Sequence, residues 1–233
     1  MTKQIKIIGV LILLLSSQYL LTGVAQESGS SQLFAVANVH FEQNVTDGDV
    51  EVVFEVMGGD KGLAMLTVVS PDERTVIDFT APNSSTLGIR QFRFESPEPK
   101  DVEGLKAAYP AGVYKFHGYT IKGKEFYSES TLNYNLPPTV YFLQPGSDEE
   151  NVIIEGFKIK WIAVENMVAY IIEIDQEELG VNLLIKLPGS VTEFSVPVGF
   201  LQSGSEYTLS MGTVANDGNS SIVEIVFTTA EAE

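Results

Sequence analysis

The chain has 233 residues, with 14 Lys and Arg against 31 Asp and Glu, a formal charge of −17, and no Cys. Such acidity excludes nucleic acid as an expected ligand, because phosphate backbones are bound through Lys and Arg that release counterions. The missing Cys excludes thiol chemistry and a disulfide framework.

In chain order, the first feature is an export signal. Lys3 and Lys6 precede an apolar run from Ile7 to Leu15, and Gly23 and Ala25 stand at the small positions of a cleavage site before Gln26. The segment is expected to be a cleaved signal peptide, 1–25, not an anchor, since Ser16, Ser17 and Gln18 leave it short of a ~20-residue apolar span. Cleavage removes two of the 14 basic residues and no acid, leaving 12 against 31 and a charge of −19, with no transmembrane segment in the mature chain. No Cys follows the apolar run, so a lipoprotein anchor is not expected. Sandwich-sized domains without disulfides fit a bacterial protein, secreted or held in the periplasm or envelope, better than an animal ectodomain.

Residues 26–32 are small and polar and read as a disordered lead-in. From Leu33 onward, short runs of Val, Ile, Phe, Tyr and Thr are punctuated by Gly, Pro, Asp, Asn and Ser every eight to twelve residues, the rhythm of an all-β sandwich. Strands are predicted near 33–41, 50–57, 62–69, 74–79, 87–95, 112–121 and 125–134. Val50, Val52, Phe54 and Val56 alternate with Glu51 and Glu55, as Phe92 and Phe94 do with Arg93 and Glu95. One helical turn at most is expected over 101–109, because Gly104 interrupts it and Pro110 closes it. These elements predict an immunoglobulin-like sandwich over 33–136.

Pro137 and Pro138 predict a stiff connector to a second sandwich, 137–233. Its strands are expected near 139–144, 152–162, 168–175, 181–187, 192–197, 205–214 and 219–228, with Asn216-Asp-Gly218 as the last hairpin turn. The last strand, Ser221–Thr229, is expected at a sheet edge, where an apolar strand can accept a partner strand unless its neighbours cover it.

Four residues identify the expected core of this second sandwich: Trp161, Tyr170 nine residues on, and Leu201 six residues before Tyr207. With Asn216–Asn219 and Phe227 they resemble a fibronectin type III domain over about Pro138 to Thr229. The resemblance implies a core Trp on the second strand and a Leu/Tyr pair fixing the corner before the sixth. The chain departs from that family in lacking a Pro within Gln202-Ser-Gly204, and no Arg-Gly-Asp lies between its last two strands. The stretch Tyr109-Pro-Ala-Gly-Val-Tyr114, with Lys122-Gly123 and Leu136-Pro-Pro138, resembles a group of exported bacterial proteins that end in a fibronectin type III domain. That likeness implies export and the two-domain layout, and no activity.

Chemistry is sparse. There are only two His, His40 and His117; both fall on predicted strands where they could meet across a sheet, and a structural role is expected of each. Calcium, which takes oxygen ligands, has candidates in Asp47 and Asp49, in Asp148, Glu149 and Glu150, and in Asp175, Glu177 and Glu178, none in an EF-hand loop. No nucleophile elbow, phosphate loop or dinucleotide fingerprint is present. Tyr109, Tyr114, Tyr119, Tyr127 and Tyr134 form a possible exposed set for stacking on sugar rings. The expectation is an exported, non-enzymatic binding protein without a cofactor, whose partner is a protein or a surface glycan. A carbohydrate-binding accessory module and a calcium-stabilised envelope protein are the alternatives.

Overall fold

The computed structural model describes residues 31–59, 62–81, 88–97, 99 and 101–232. The expected signal peptide, and residues 26–30 of the lead-in, lie outside them, as do Asp60 and Lys61 between the second and third predicted strands. Every element below belongs to one compact body, Leu33–Glu233.

The body is built almost wholly of strands. The first half contributes β1 (Val36–Asn44), β2 (Val50–Met57), β3 (Leu63–Val69), β4 (Thr75–Thr80), β5 (Gln91–Glu95), β6 (Gly112–Thr120) and β7 (Glu125–Leu132), with one helix, α1 (Val102–Ala108). Period-2 alternation sets each strand's inner face: Val52, Phe54 and Val56 are buried, while Glu51 and Glu55 face outward. The sheet β4-β3-β6-β7 faces β1-β2-β5, and between them Val39, Phe54, Leu66, Tyr114 and Phe116 form one apolar core.

The second half contributes β8 (Phe142–Gln144), β9 (Glu149–Val152), β10 (Lys158–Trp161), β11 (Ala169–Gln176), β12 (Val181–Pro188), β13 (Glu193–Ser195), β14 (Glu206–Val214) and β15 (Ser220–Thr229). The sheet β13-β10-β8 covers β12-β11-β14-β15. Trp161, Tyr170, Leu201 and Tyr207 are all buried in this second core, as expected. The Tyr170 ring meets Trp161 edge-on at 5.3 Å. The Tyr207 hydroxyl accepts the Gln202 N–H at 2.8 Å, five residues back, which is the tyrosine corner. Strand order and corner together make this half a fibronectin type III-like sandwich.

Three expectations are corrected. The strand predicted over 152–162 is two strands, because Gly156 takes φ +65° and turns the chain from β9 to β10. The helix runs seven residues instead of one turn: Asp101 caps it by accepting Gly104 N–H at 2.6 Å, and Leu105 is buried. Gly104 thus sits where the cap bonds.

The third correction concerns the edge. β15 is interior: β14 pairs with one side of it, and β1 and β9 pair in parallel with the other. Glu42, Gln43 and Asn44 lie opposite Ser220, Ser221 and Ile222. The Thr46 hydroxyl then accepts Glu224 N–H at 2.8 Å, Asp148 N–H reaches Val226 O at 2.8 Å, and β9 covers Phe227 to Thr229. The second edge of β15 is filled from end to end, so strand addition there is closed to an outside chain. The two sandwiches are therefore joined through one eight-stranded sheet, β12-β11-β14-β15-β1-β2-β5 with β9 alongside, as well as through the prolines.

Candidate functional site

The seam between the sandwiches is polar. The Asn219 side chain, 1% exposed, accepts Phe41 N–H at 2.8 Å and donates to Asn133 O, Asn133 Oδ1 and Asn135 O at 2.9–3.1 Å. Asn133 in turn donates to Asp217 at 2.8 Å, and the Thr213 hydroxyl donates to Pro138 O at 2.8 Å. One turn of the second sandwich thereby grips the first strand of the first sandwich and the chain leading to the connector. Asn219 heads an Asn-x-Ser triplet, yet its amide is wholly engaged.

Beside this seam, the outer face of the shared sheet carries a groove of about 540 Å³. Its floor is one row across three strands: Ile171 on β11 lies opposite Gly212 on β14, which lies opposite Ile222 on β15. Gly212 makes the hollow. A Cβ there would stand 3.5 Å from Ile222 and 3.7 Å from Ile171, ordinary contacts, so glycine leaves open space that backbone geometry does not demand. Leu184 and Lys186 on β12 border one end, and Glu42, Glu55 and Arg93 on β1, β2 and β5 border the other. Pockets at domain junctions with an apolar floor and a few placed charges are the usual form of a binding site.

The charged wall is a network around one guanidinium. Arg93 contacts Glu95 at 2.7 Å, Glu42 at 3.0 Å and Glu55 at 3.4 Å, tying β5, β2 and β1 together. Buried His40 donates from Nε2 to Glu42 at 2.9 Å while its Nδ1 accepts from Asn38 at 3.1 Å. Burial pushes the Glu42 carboxyl up, but the His40 hydrogen bond and the Arg93 charge together outweigh it and hold Glu42 below its ordinary value. Glu51, opposite Glu42, goes the other way: burial and then the charges of Glu95 and Glu42 raise it.

The other predicted site residues fall elsewhere. His40 lies on β1 and His117 on β6, in different sheets, so the two do not meet. Asp47 accepts from Asn44 and from Asp49 N–H, both at 3.0 Å, shaping the β1–β2 turn. Glu149 accepts Gly146 N–H at 2.7 Å and Asp148 accepts from Ser147 at 3.1 Å in the β8–β9 turn, where Glu150 is exposed. Asp175, Glu177 and Glu178 line, with Glu206, a polar pocket of about 460 Å³. Among the described residues no three His, Asp or Glu side chains converge as metal ligands.

The tyrosines do not form an exposed row of five. Tyr114 is buried on the inner face of β6, and Tyr134 packs on Phe41 at 4.8 Å while donating to Tyr109 O at 2.5 Å. Alternation sends only Tyr119 and Tyr127 to the outer face of the other sheet, with His117 against Tyr127 at 4.8 Å. Their hydroxyls donate to Glu125 and Glu129.

No family model and no curated protein matches the chain. Among solved structures it is similar to the FN1–FN3 domains of chicken CNTN1, at 12% identity and a TM-score of 0.32 over 86% of this chain and 65% of that one. It is similar also to fibronectin(III)-like modules of Clostridium thermocellum CbhA, at 13% identity and 0.36 over 85% and 92%. A two-domain fibronectin type III segment of chicken tenascin matches at 14% and 0.31 over 84% and 99%. The chain thus spans just under two thirds of the CNTN1 segment's length. The fold rests on the strand order and the corner described above. Among the described residues no helix is long and apolar enough to cross a membrane.

Proposed function

We infer that the chain is an exported, non-enzymatic binding protein of two modules, Leu33–Leu136 and Pro137–Glu233, and that the groove across their shared sheet contacts a protein partner. The single observation that carries this is the groove's shared construction: its floor comes from one sandwich, its charged wall from the other, and the seam holds both in fixed register. The lining selects an aliphatic side chain over Ile171 and Ile222, flanked by positive charge. Glu42, Glu55 and Glu173 outnumber Arg93 and Lys186, and Arg93 is already shared by three carboxylates. Export follows from the Lys-led apolar segment, and N-terminal sequencing of the released chain should begin at Gln26.

The test fills the groove. Gly212→Leu sets an isobutyl group between Ile171 and Ile222, on backbone that any residue can adopt. Wild type should retain a defined protein from envelope or culture fractions, and Gly212→Leu should lose it while its circular dichroism stays unchanged. Equal retention by both would overturn the groove reading. A second reading rests on the Tyr119–His117–Tyr127 face, whose rings and neighbouring carboxylates suit a sugar. Binding on a glycan array that Tyr127→Ala abolishes would support it, and a blank array would remove it.

A further inference from the structure

We propose that the groove continues as an acidic trough along the outer face of the shared sheet, and that its partner is an extended basic protein segment led by an aliphatic side chain. This rests on the groove reading above and adds the partner's charge and its spacing.

The continuity lies in the register. Every second residue of a strand shares a face, so the row after Ile171, Gly212 and Ile222 is Glu173, Ser210 and Glu224. The groove lining reaches Glu173 and Ser210. One row further stand Asp175, Thr208 and Val226, and then Glu206 and Thr228. Asp175, Thr208, Glu206 and Thr228 line the polar pocket of about 460 Å³, with Glu177 and Glu178 from the turn after β11. The two hollows therefore abut along the strands, with no row of side chains between their linings. From the Ile171 row to the Asp175 row is four residues of strand, roughly 13 Å.

The two ends differ in chemistry. At the Gly212 end the floor is apolar and the carboxylates already have partners: Arg93 holds Glu42 and Glu55, and Glu173 accepts from Asn182. At the far end the side chains of Asp175, Glu177, Glu178 and Glu206 have no hydrogen bond or ion pair among the described residues. Gln176, 5% exposed, lines the same hollow. Its Oε1 accepts Leu179 N–H at 2.6 Å, and its Nε2 has no partner among the described residues. Four unpaired carboxylates repel one another, and a cationic partner relieves that repulsion while gaining a steered approach.

Three observations select a basic protein segment as that partner. Among the described residues no three carboxylates converge as metal ligands, so the charge is spread along the trough and not focused on a point ion. The unpaired Gln176 amide suits a backbone carbonyl, which a peptide segment brings. The abutting apolar floor takes an aliphatic side chain, about 13 Å from the charge it must accompany. A second copy of this chain, with 31 acidic residues against 14 basic, is a poor source of that charge.

Nuclear magnetic resonance on the isotope-labelled chain tests this with the peptide acetyl-Leu-Ser-Ser-Ser-Lys-Lys-amide, whose Leu and first Lys stand about 13 Å apart when extended. The amides of Gly212, Ser210 and Thr208 should shift together and saturate. Affinity should fall about tenfold between ~0.1 M and ~1 M salt, as the screening length shortens from ~10 Å to ~3 Å. Glu178→Lys/Glu206→Lys, at two exposed positions, should weaken binding about tenfold with an unchanged circular dichroism spectrum. Peptides with Glu in place of both Lys, or Ser in place of Leu, should bind more weakly by about the same factor. Equal binding of the Lys and Glu peptides, or no saturable shift with the Lys peptide, would overturn the proposal. Shifts confined to the Gly212 row and indifferent to Glu178→Lys/Glu206→Lys would overturn it and leave the groove reading standing. Shifts confined to Thr208 and Glu206 that survive Gly212→Leu would overturn both.

Discussion

In the second core, Trp161, Tyr170, Tyr207 and Phe227 bury ring faces against Ile172, Leu209 and Met211. At the seam the buried groups are of another kind: Asn219, Thr213, Ser220 and Ser221. Apolar burial is non-directional and scales with area, so many side chains of suitable volume can fill a core. A buried amide has value only when all its partners are in place. The cores therefore make each sandwich, and the seam sets the one geometry in which the groove exists. Breaking each in turn should give different unfolding behaviour, not merely different amounts of lost stability.

The largest effect belongs to the core. Trp161→Ala should destabilise the second sandwich by about 3–5 kcal/mol, as large aromatic deletions do. Its indole N–H has no hydrogen-bond partner among the described residues, so the loss is one of packing. Chemical denaturation checks it, and an unmoved midpoint would remove Trp161 from the core.

Asn219→Ala sharpens the contrast. It strands the buried Phe41 N–H and removes the donor to the carbonyls of half-buried Asn133 and exposed Asn135, at a cost of about 1–3 kcal/mol. Wild type should unfold in one transition because the sheet is continuous; the variant should show two, one for each sandwich. A single transition shifted as a whole would mean that the β1–β15 ladder alone couples them. Tyr207→Phe should cost less, about 1 kcal/mol, since only the bond to Gln202 N–H goes and the ring stays buried.

The same contrast explains what could be read in the residues. Strands β2, β11, β14 and β15 fall within a residue of expectation because their alternation is written in Val, Ile, Leu and Phe at period two. Trp161, Tyr170, Leu201 and Tyr207 were legible because their spacing resembles that of a fibronectin type III core, with Leu201 and Tyr207 as the corner pair. The seam was not. Asn219 sits in a turn sequence, Asn216-Asp-Gly-Asn219, that looks like any hairpin, and nothing local marks its reach to Phe41, 178 positions away. The groove was hidden for the same reason, since its floor of Ile171, Gly212 and Ile222 is assembled by register across three strands. A signal existed only in Gly212, a glycine inside a strand run with no turn to form.

The smallest effect lies in the groove's charged wall. Glu42 is held below its ordinary 4.5 in the folded chain, since the His40 bond and the Arg93 charge outweigh the burial that pushes it up. A carboxyl depressed by folding adds stability above its unfolded value and loses it as pH falls through the folded one. Glu51 is raised by burial and by the charges of Glu95 and Glu42, so it favours the fold below 4.5 and loses that as pH rises through its raised value. The two side chains face each other across β1 and β2 with opposite signs. Glu42→Gln should therefore lower stability at neutral pH, with the difference from wild type shrinking well below pH 4.5. Glu51→Gln should do the reverse, raising stability slightly at neutral pH. Urea midpoints at both pH values decide it. If both variants shifted the same way, the wall would respond to lost charge in bulk and not to the particular carboxylate that Arg93 and His40 hold.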